Sequence, residues 1–203
     1  MSLTVSETGG KEFSIIPEGS YVAICNMLVD LGLQYNEAYK NSSRKVLIGW
    51  EFPEERIEIN GEDVPRTITQ RYTASLNEKS VLRRDLSAWR GRDFTPAELN
   101  EFNLRNIVGA PCMIQIIHRE YNGKKYANVA SIMTLPKGMP KPVLSGEPVV
   151  YDIDENDPAD VEKLPEWIRT TVKSSESYYA RITPATNGEF TELLGENEEP
   201  FPF

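Results

Sequence analysis

Two stretches of the chain place aromatic and cationic side chains next to one another. Tyr35, Tyr39, Lys40 and Arg44 fall between two apolar, β-prone runs, and Tyr121, Lys124, Lys125 and Tyr126 surround the turn dipeptide Asn122-Gly123. Aromatic rings stack on unpaired bases, and ammonium or guanidinium groups neutralise phosphates, so this mixture suits a single-stranded polynucleotide. Lys45 and Arg71 extend the set. Arg71 alternates with Thr67, Thr69 and Thr73 along one run, while Ile68 and Tyr72 take the opposite phase. Each residue also has an ordinary reading, since loop tyrosines pack their rings and hairpin lysines keep a surface wet. Arg83, Arg84, Arg90 and Arg92 divide the same way, into a basic rim or a solvated helix face paired with Asp85 and Asp93.

Other chemistries have less to work with. One histidine, His118, sits among isoleucines, and Cys25 and Cys112 lie in separate apolar segments, where they read as buried thiols. Asp152, Asp154, Glu155, Asp157 and Asp160 form the densest acidic group, but without the glycine and final glutamate of a calcium loop they read as a solvated linker. No phosphate-binding loop, dinucleotide fingerprint, zinc-protease motif or nucleophile elbow is present. The expectation is a protein that is not an enzyme and that needs no cofactor and no metal.

The 203 residues are 39% hydrophobic and 26% charged, which excludes disorder throughout. The net charge of −9 is unevenly spread. Residues 1–40 carry 2 basic against 5 acidic side chains, residues 41–141 carry 16 against 12, and residues 142–203 carry 4 against 14. A basic middle before an acidic end fits a polyanion-binding body with an interaction tail, and equally fits ordinary surface with a solubilising tail. No run reaches the roughly 18 apolar residues of a membrane helix and the start lacks signal-peptide character, so the expected location is soluble and cytoplasmic, away from membranes.

The periodicities supply the elements. Tyr21–Val29 is apolar at nearly every position and reads as a first strand, followed by a long loop over residues 31–44. Lys45–Phe52 places Val46, Ile48, Trp50 and Phe52 on one face, and Arg66–Ala74 is a third strand beyond a loop containing Asn60-Gly61. The period then becomes helical. Ser75 and Glu78 have capping-box spacing, Leu82, Leu86 and Trp89 form an inward stripe, and Thr95, Pro96 and Glu98 announce a second helix. Pro111–Tyr121 and Lys124–Leu135 form a closing hairpin. The order predicts a mainly β fold: a five-stranded Greek-key OB-fold barrel with a helical insertion between strands 3 and 4 and a C-terminal extension. Its predicted divisions are a flexible 1–18, the barrel at 19–137, an extended linker with a short docking helix at 138–182, and a disordered acidic tail at 183–203. In that helix Trp167, Ile168 and Val172 are the expected docking side.

The last nine residues, GENEEPFPF, are similar to the acidic tips of bacterial single-stranded DNA-binding proteins, which recruit replication and repair enzymes. The body, from about Gly19 to Lys137, resembles a family of bacteriophage single-stranded DNA-binding proteins. LGLQY, KVLIGWEF, YTASLNEKSVLRRDLSAWRGRDFT with ELNEF, and VGAPCMIQIIH carry that resemblance, with LPEWI further on. It implies an OB-fold protein that coats single-stranded DNA without strong sequence preference during phage replication and recombination, in the host cell cytoplasm. Glu198, Glu199, Phe201, Pro202 and Phe203 would then be the partner-binding tip for replication or recombination proteins. Residues 138–182 could cover a barrel edge or make a homo-oligomer. The rivals are a phage-encoded interaction or inhibitor module that never touches nucleic acid, and a binder of RNA or duplex.

Overall fold

The apolar run that starts at Gly19 passes beyond Val29 and ends only at Asn36, as strand β1 (Gly19–Asn36), in a computed structural model that describes residues 15–183. It pairs antiparallel with β2 (Asn41–Ile59) from Ile24↔Glu51 to Asn36↔Asn41. Residues 37–40 are therefore a hairpin turn, in place of the long loop expected at 31–44. Register shifts between Cys25 and Met27 and between Asp30 and Gly32 reset the alternation, which hides the strand's second half from a period-two reading. Gly32 is needed at the second shift. Its φ is +73°, and a Cβ there would lie 2.5 Å from Ser175 Oγ.

Strand β3 (Glu62–Thr73) follows β2 through Asn60-Gly61, whose φ values of 54° and 86° make a tight two-residue turn where a longer loop was expected. The extra residues are absorbed inside β2, by a register shift between Phe52 and Arg56. Strands β4 (Pro111–Tyr121) and β5 (Lys124–Met133) form the expected hairpin on Asn122-Gly123. The order across the sheet is β3-β2-β1-β4-β5, and β6 (Val149–Tyr151) adds to β1 in parallel at Met27–Val29. The fold is mainly β, as expected, but β3 and β5 share no ladder, so the sheet is open along that seam. A groove of about 430 Å³ lies there, lined by Ile16, Ile57, Ile68 and Ala127 among others. His118 holds the segment that enters it, with Nε2 at 2.8 Å from the Ile16 carbonyl oxygen and its backbone N–H donating to Glu18.

Helix α1 (Val81–Arg90) starts at Ser80, not at Ser75. Ser75 and Asn77 instead accept from the backbone N–H groups of Asn77 and Lys79, folding those residues into turns that deliver Ser80 as the cap. Leu82, Leu86 and Trp89 face inward as expected, Trp89 donates its indole N–H to the Pro111 carbonyl at 2.9 Å, and its ring lies 5.8 Å from that of fully buried Trp50. Buried Asp85 accepts from the Tyr72 hydroxyl and pairs with Arg84. These side chains, with Ala23, Cys25, Val46, Ile48, Phe52, Ile114 and Ile132, form the main core.

The short helix α2 (Pro96–Asn100) has the full capping box of Thr95 and Glu98. The Arg92 guanidinium and the Thr95 N–H hold the Glu98 carboxyl down at about 2. A depressed carboxylate supports the fold above its ordinary range and loses that support as pH falls. The expected result is an NMR titration midpoint for Glu98 near 2, with the amide protection of α2 lost between about pH 4.5 and 2. A midpoint at the ordinary glutamate value would refute it.

Residues 149–182, expected to be mostly linker, form a second core on the outer face of β1 and β2. A 3₁₀ turn (Pro158–Lys163), α3 (Glu166–Lys173) and α4 (Glu176–Ile182) bring Val161, Leu164, Ile168, Val172 and Tyr178 against Val29, Leu31 and Leu47. Ile168 and Val172 are docking residues as expected. Trp167 is not, being 52% exposed because it lies one position, about a quarter-turn, off the buried stripe. No helix among the described residues is long and apolar enough to cross a membrane.

Candidate nucleic-acid interface

Strand alternation sorts the β4–β5 hairpin into two faces. Ile116, facing Val129, points into the core, as does the half-buried pair His118 and Ala127 further out. The opposite phase carries the pairs Arg119↔Tyr126 and Tyr121↔Lys124. Two rings and two cations thus share one outward face, with Tyr121 70% and Tyr126 47% exposed. Lys125 takes the other phase, opposite Glu120. Arg119 was missed in the sequence, although counting in twos from Ile117 would have found it.

On β3 the outward phase is Thr67, Thr69, Arg71 and Thr73, with Arg71 exposed. Lys45, directly across from Thr73, donates its ammonium to the Thr73 hydroxyl at 2.7 Å. The matching face of β2 is closed. Leu47 belongs to the second core, and buried Glu51 accepts the Ser145 N–H at 2.7 Å. The outward face of β2 and β3 is thereby open only in its β3 half, because residues 145–178 lie over the other half.

In the β1–β2 turn, Tyr39 and Lys40 occupy the tip, with Lys40 at φ 47° and the Asn36 carboxamide accepting from the N–H groups of Ala38 and Tyr39. Tyr35 is on β1 opposite Ser42, and is 58% exposed. Arg44 is not a loop residue. It lies on β2 in phase with Val46 and pairs with Asp30 and, at 2.5 Å, with Asp154, and its guanidinium pKa rises chiefly through the hydrogen bond to Asp30. Asp30, Asp152 and Asp154 bring carboxylate oxygens within 4.8 Å of one another. Arg105 joins them, 2.6 Å from Glu155 and 3.8 Å from Asp152. Of the acidic run read as a solvated linker, Asp152, Asp154 and Glu155 join an ion-pair network beside a cleft of about 330 Å³ at this end of the sheet, while Asp157 caps the 3₁₀ turn and Asp160 pairs with Lys163.

Of the two readings of the arginines around α1, the paired one fits better than the basic rim: Arg84 pairs with Asp85 as that reading had it, Glu98 holds Arg90 and Arg92, and Arg83 donates to the Leu76 carbonyl. Glu98, on α2, takes the place of Asp93 in that pairing.

The register fixes how these groups lie relative to one another. The β1–β2 tip projects past the Lys45↔Thr73 pair at the end of β3, whereas Ala127 of the β4–β5 hairpin lines the seam beside Thr67, Ile68 and Thr69. The two aromatic loops therefore stand at opposite ends of the β3 strip, which spans about 20 Å from Thr67 to Thr73 at 3.3 Å per residue. Glu198, Glu199, Phe201, Pro202 and Phe203 lie outside the described residues. No family model and no curated protein matches the chain.

Proposed function

We propose that the protein coats single-stranded DNA with little sequence preference, as a phage replication or recombination protein built on an OB-type barrel. The observation that carries the reading is the outward face of the β4–β5 hairpin, where Arg119, Tyr121, Lys124 and Tyr126 interleave phosphate-binding and base-stacking groups. From there the strand runs across the seam and along Thr67, Arg71 and Thr73 toward Lys45. The strand order, and a helix between β3 and β4 that buries Leu82, Leu86 and Trp89, are the features an OB barrel would have, with the β3–β5 seam as its lateral opening. The acidic tip ending in Phe203 would recruit partner proteins. Binding of labelled oligo-dT by the full chain tests the reading, with log affinity expected to fall linearly as log salt rises. Absence of salt-dependent binding overturns it and favours a protein-interaction module, the reading to which exposed Trp167, Tyr179 and Ile182 on the C-terminal helices belong.

A further inference from the structure

The end of β3 and the start of α1 enclose a cleft of about 480 Å³, lined by Arg71, Thr73, Ser75, Asn77 and Lys79 together with apolar groups. Most arginines of the described chain are held by carboxylates, Arg44 by Asp30, Arg92 by Glu98 and Arg105 by Glu155 among them. Arg71 and Lys79 have no carboxylate partner among the described residues, and no carboxylate lines the cleft.

The uncharged groups have the same polarity. The Asn77 side-chain oxygen accepts from the Lys79 N–H at 3.2 Å, which leaves the amide NH₂ available as a donor. The Ser75 hydroxyl accepts from the Asn77 N–H at 3.2 Å and the Thr73 hydroxyl from the Lys45 ammonium at 2.7 Å, so both keep their hydrogens to give. The Ser80 hydroxyl is spent on the Ser75 carbonyl. The cleft therefore presents two full positive charges and three neutral donors around one space, with its side-chain acceptors already engaged. A site of that kind selects a compact, multiply accepting anion. Arg71 belongs both to this cleft and to the open β3 strip, so an anion held here is continuous with a strand lying along Thr67–Thr73.

We propose that this cleft is a phosphate-binding subsite for a polynucleotide backbone, with Arg71 and Lys79 as its charges. It rests on the reading of the protein as a single-stranded DNA binder. It goes further by assigning a fixed backbone anchor at the α1 end of the strip and by adding Lys79, Ser75 and Asn77 to the interface.

The test uses the full-length chain and the variants Arg71→Gln, Lys79→Gln and their double, with Lys137→Gln/Lys141→Gln as a charge-matched control on exposed linker lysines. Oligo-dT affinity is measured by fluorescence anisotropy over a salt series. Each cleft substitution is expected to reduce the slope of log affinity against log salt by about 0.7, and the double by about 1.4, while the control keeps the wild-type slope. All exchanged residues are exposed, and matched thermal melts separate binding loss from unfolding. In a second arm, inorganic phosphate is titrated into ¹⁵N-labelled wild type and double variant. Shifts at residues 73–80 that vanish in the double variant support the anion site. Wild-type binding with an unchanged slope in the double variant overturns the subsite and leaves the DNA reading standing, and does so even where free phosphate shifts those amides. Failure of the wild type to bind oligo-dT overturns the DNA reading as well.

Discussion

Replacing Ile168 by alanine is expected to lower the unfolding free energy by about 2–5 kcal/mol, the range for a buried aliphatic side chain whose neighbours cannot close the gap. Ile168 is fully buried on α3, between the β1–β2 face that supplies Val29, Leu31 and Leu47 and the 3₁₀ turn that supplies Val161. The cost is large because the surroundings are anchored on both sides. Leu33 donates its backbone N–H to the Ser177 hydroxyl at 3.0 Å, Gln34 donates to the Thr171 carbonyl at 3.0 Å, and Ser42 bonds to Glu176. Urea denaturation measures the effect. A loss within about 0.5 kcal/mol, the usual range for exposed positions, would mean that residues 149–182 do not share the cooperative unit of the sheet. Trp167→Ala, next in sequence but half-exposed, is the internal control and should cost much less.

Removing both rings from the β4–β5 hairpin is the corresponding experiment on binding. If Tyr121 and Tyr126 each stack on a base, Tyr121→Ala/Tyr126→Ala weakens oligo-dT binding by about 2–6 kcal/mol, at least about 30-fold in affinity. Because stacking is not a charge contact, the salt slope should stay at the wild-type value while the whole line drops. Phenylalanine at both positions should restore most of the affinity, since it keeps the ring and loses only the hydroxyl. A double alanine variant that binds within twofold of wild type would remove these rings from the interface.

The elements with one dominant periodicity were legible in the sequence. Val46, Ile48, Trp50 and Phe52 alternate into the core, Leu82, Leu86 and Trp89 line α1, and Thr95 with Glu98 caps α2. The missed features are places where a single local irregularity changed the phase. Two shifts in β1 made residues 31–36 look like a loop, so Tyr35 and Arg44 were assigned to a connection that is really a continuous hairpin. The acidic run at 152–157 looked solvated because its partners, Arg44 and Arg105, are 110 and 50 residues away along the chain. No local pattern announces such a pairing. The cover over β2 was hidden for the same reason: Glu51 resembles an exposed strand residue until Ser145 is brought to it. On the hairpin the tyrosines and lysines were visible and alternation along β4 already joins Arg119 to Tyr121, but the cross-strand register was needed to set Tyr126 and Lys124 on that face and Lys125 on the other.

The two thiols give the molecule an internal clock. Cys25 and Cys112 have no exposed surface, and burial lifts Cys25 to about 12 and Cys112 likewise upward, so neither supplies thiolate at neutral pH while the sheet is intact. With Cys25 on β1 and Cys112 on β4, any reaction with an alkylating reagent must then wait for the core around these two strands to open, and the labelling rate reports that opening. Ligand that bridges the two strands' neighbours would slow the count, which turns a pair of otherwise silent sulfur atoms into a gauge of how tightly the occupied protein is held shut.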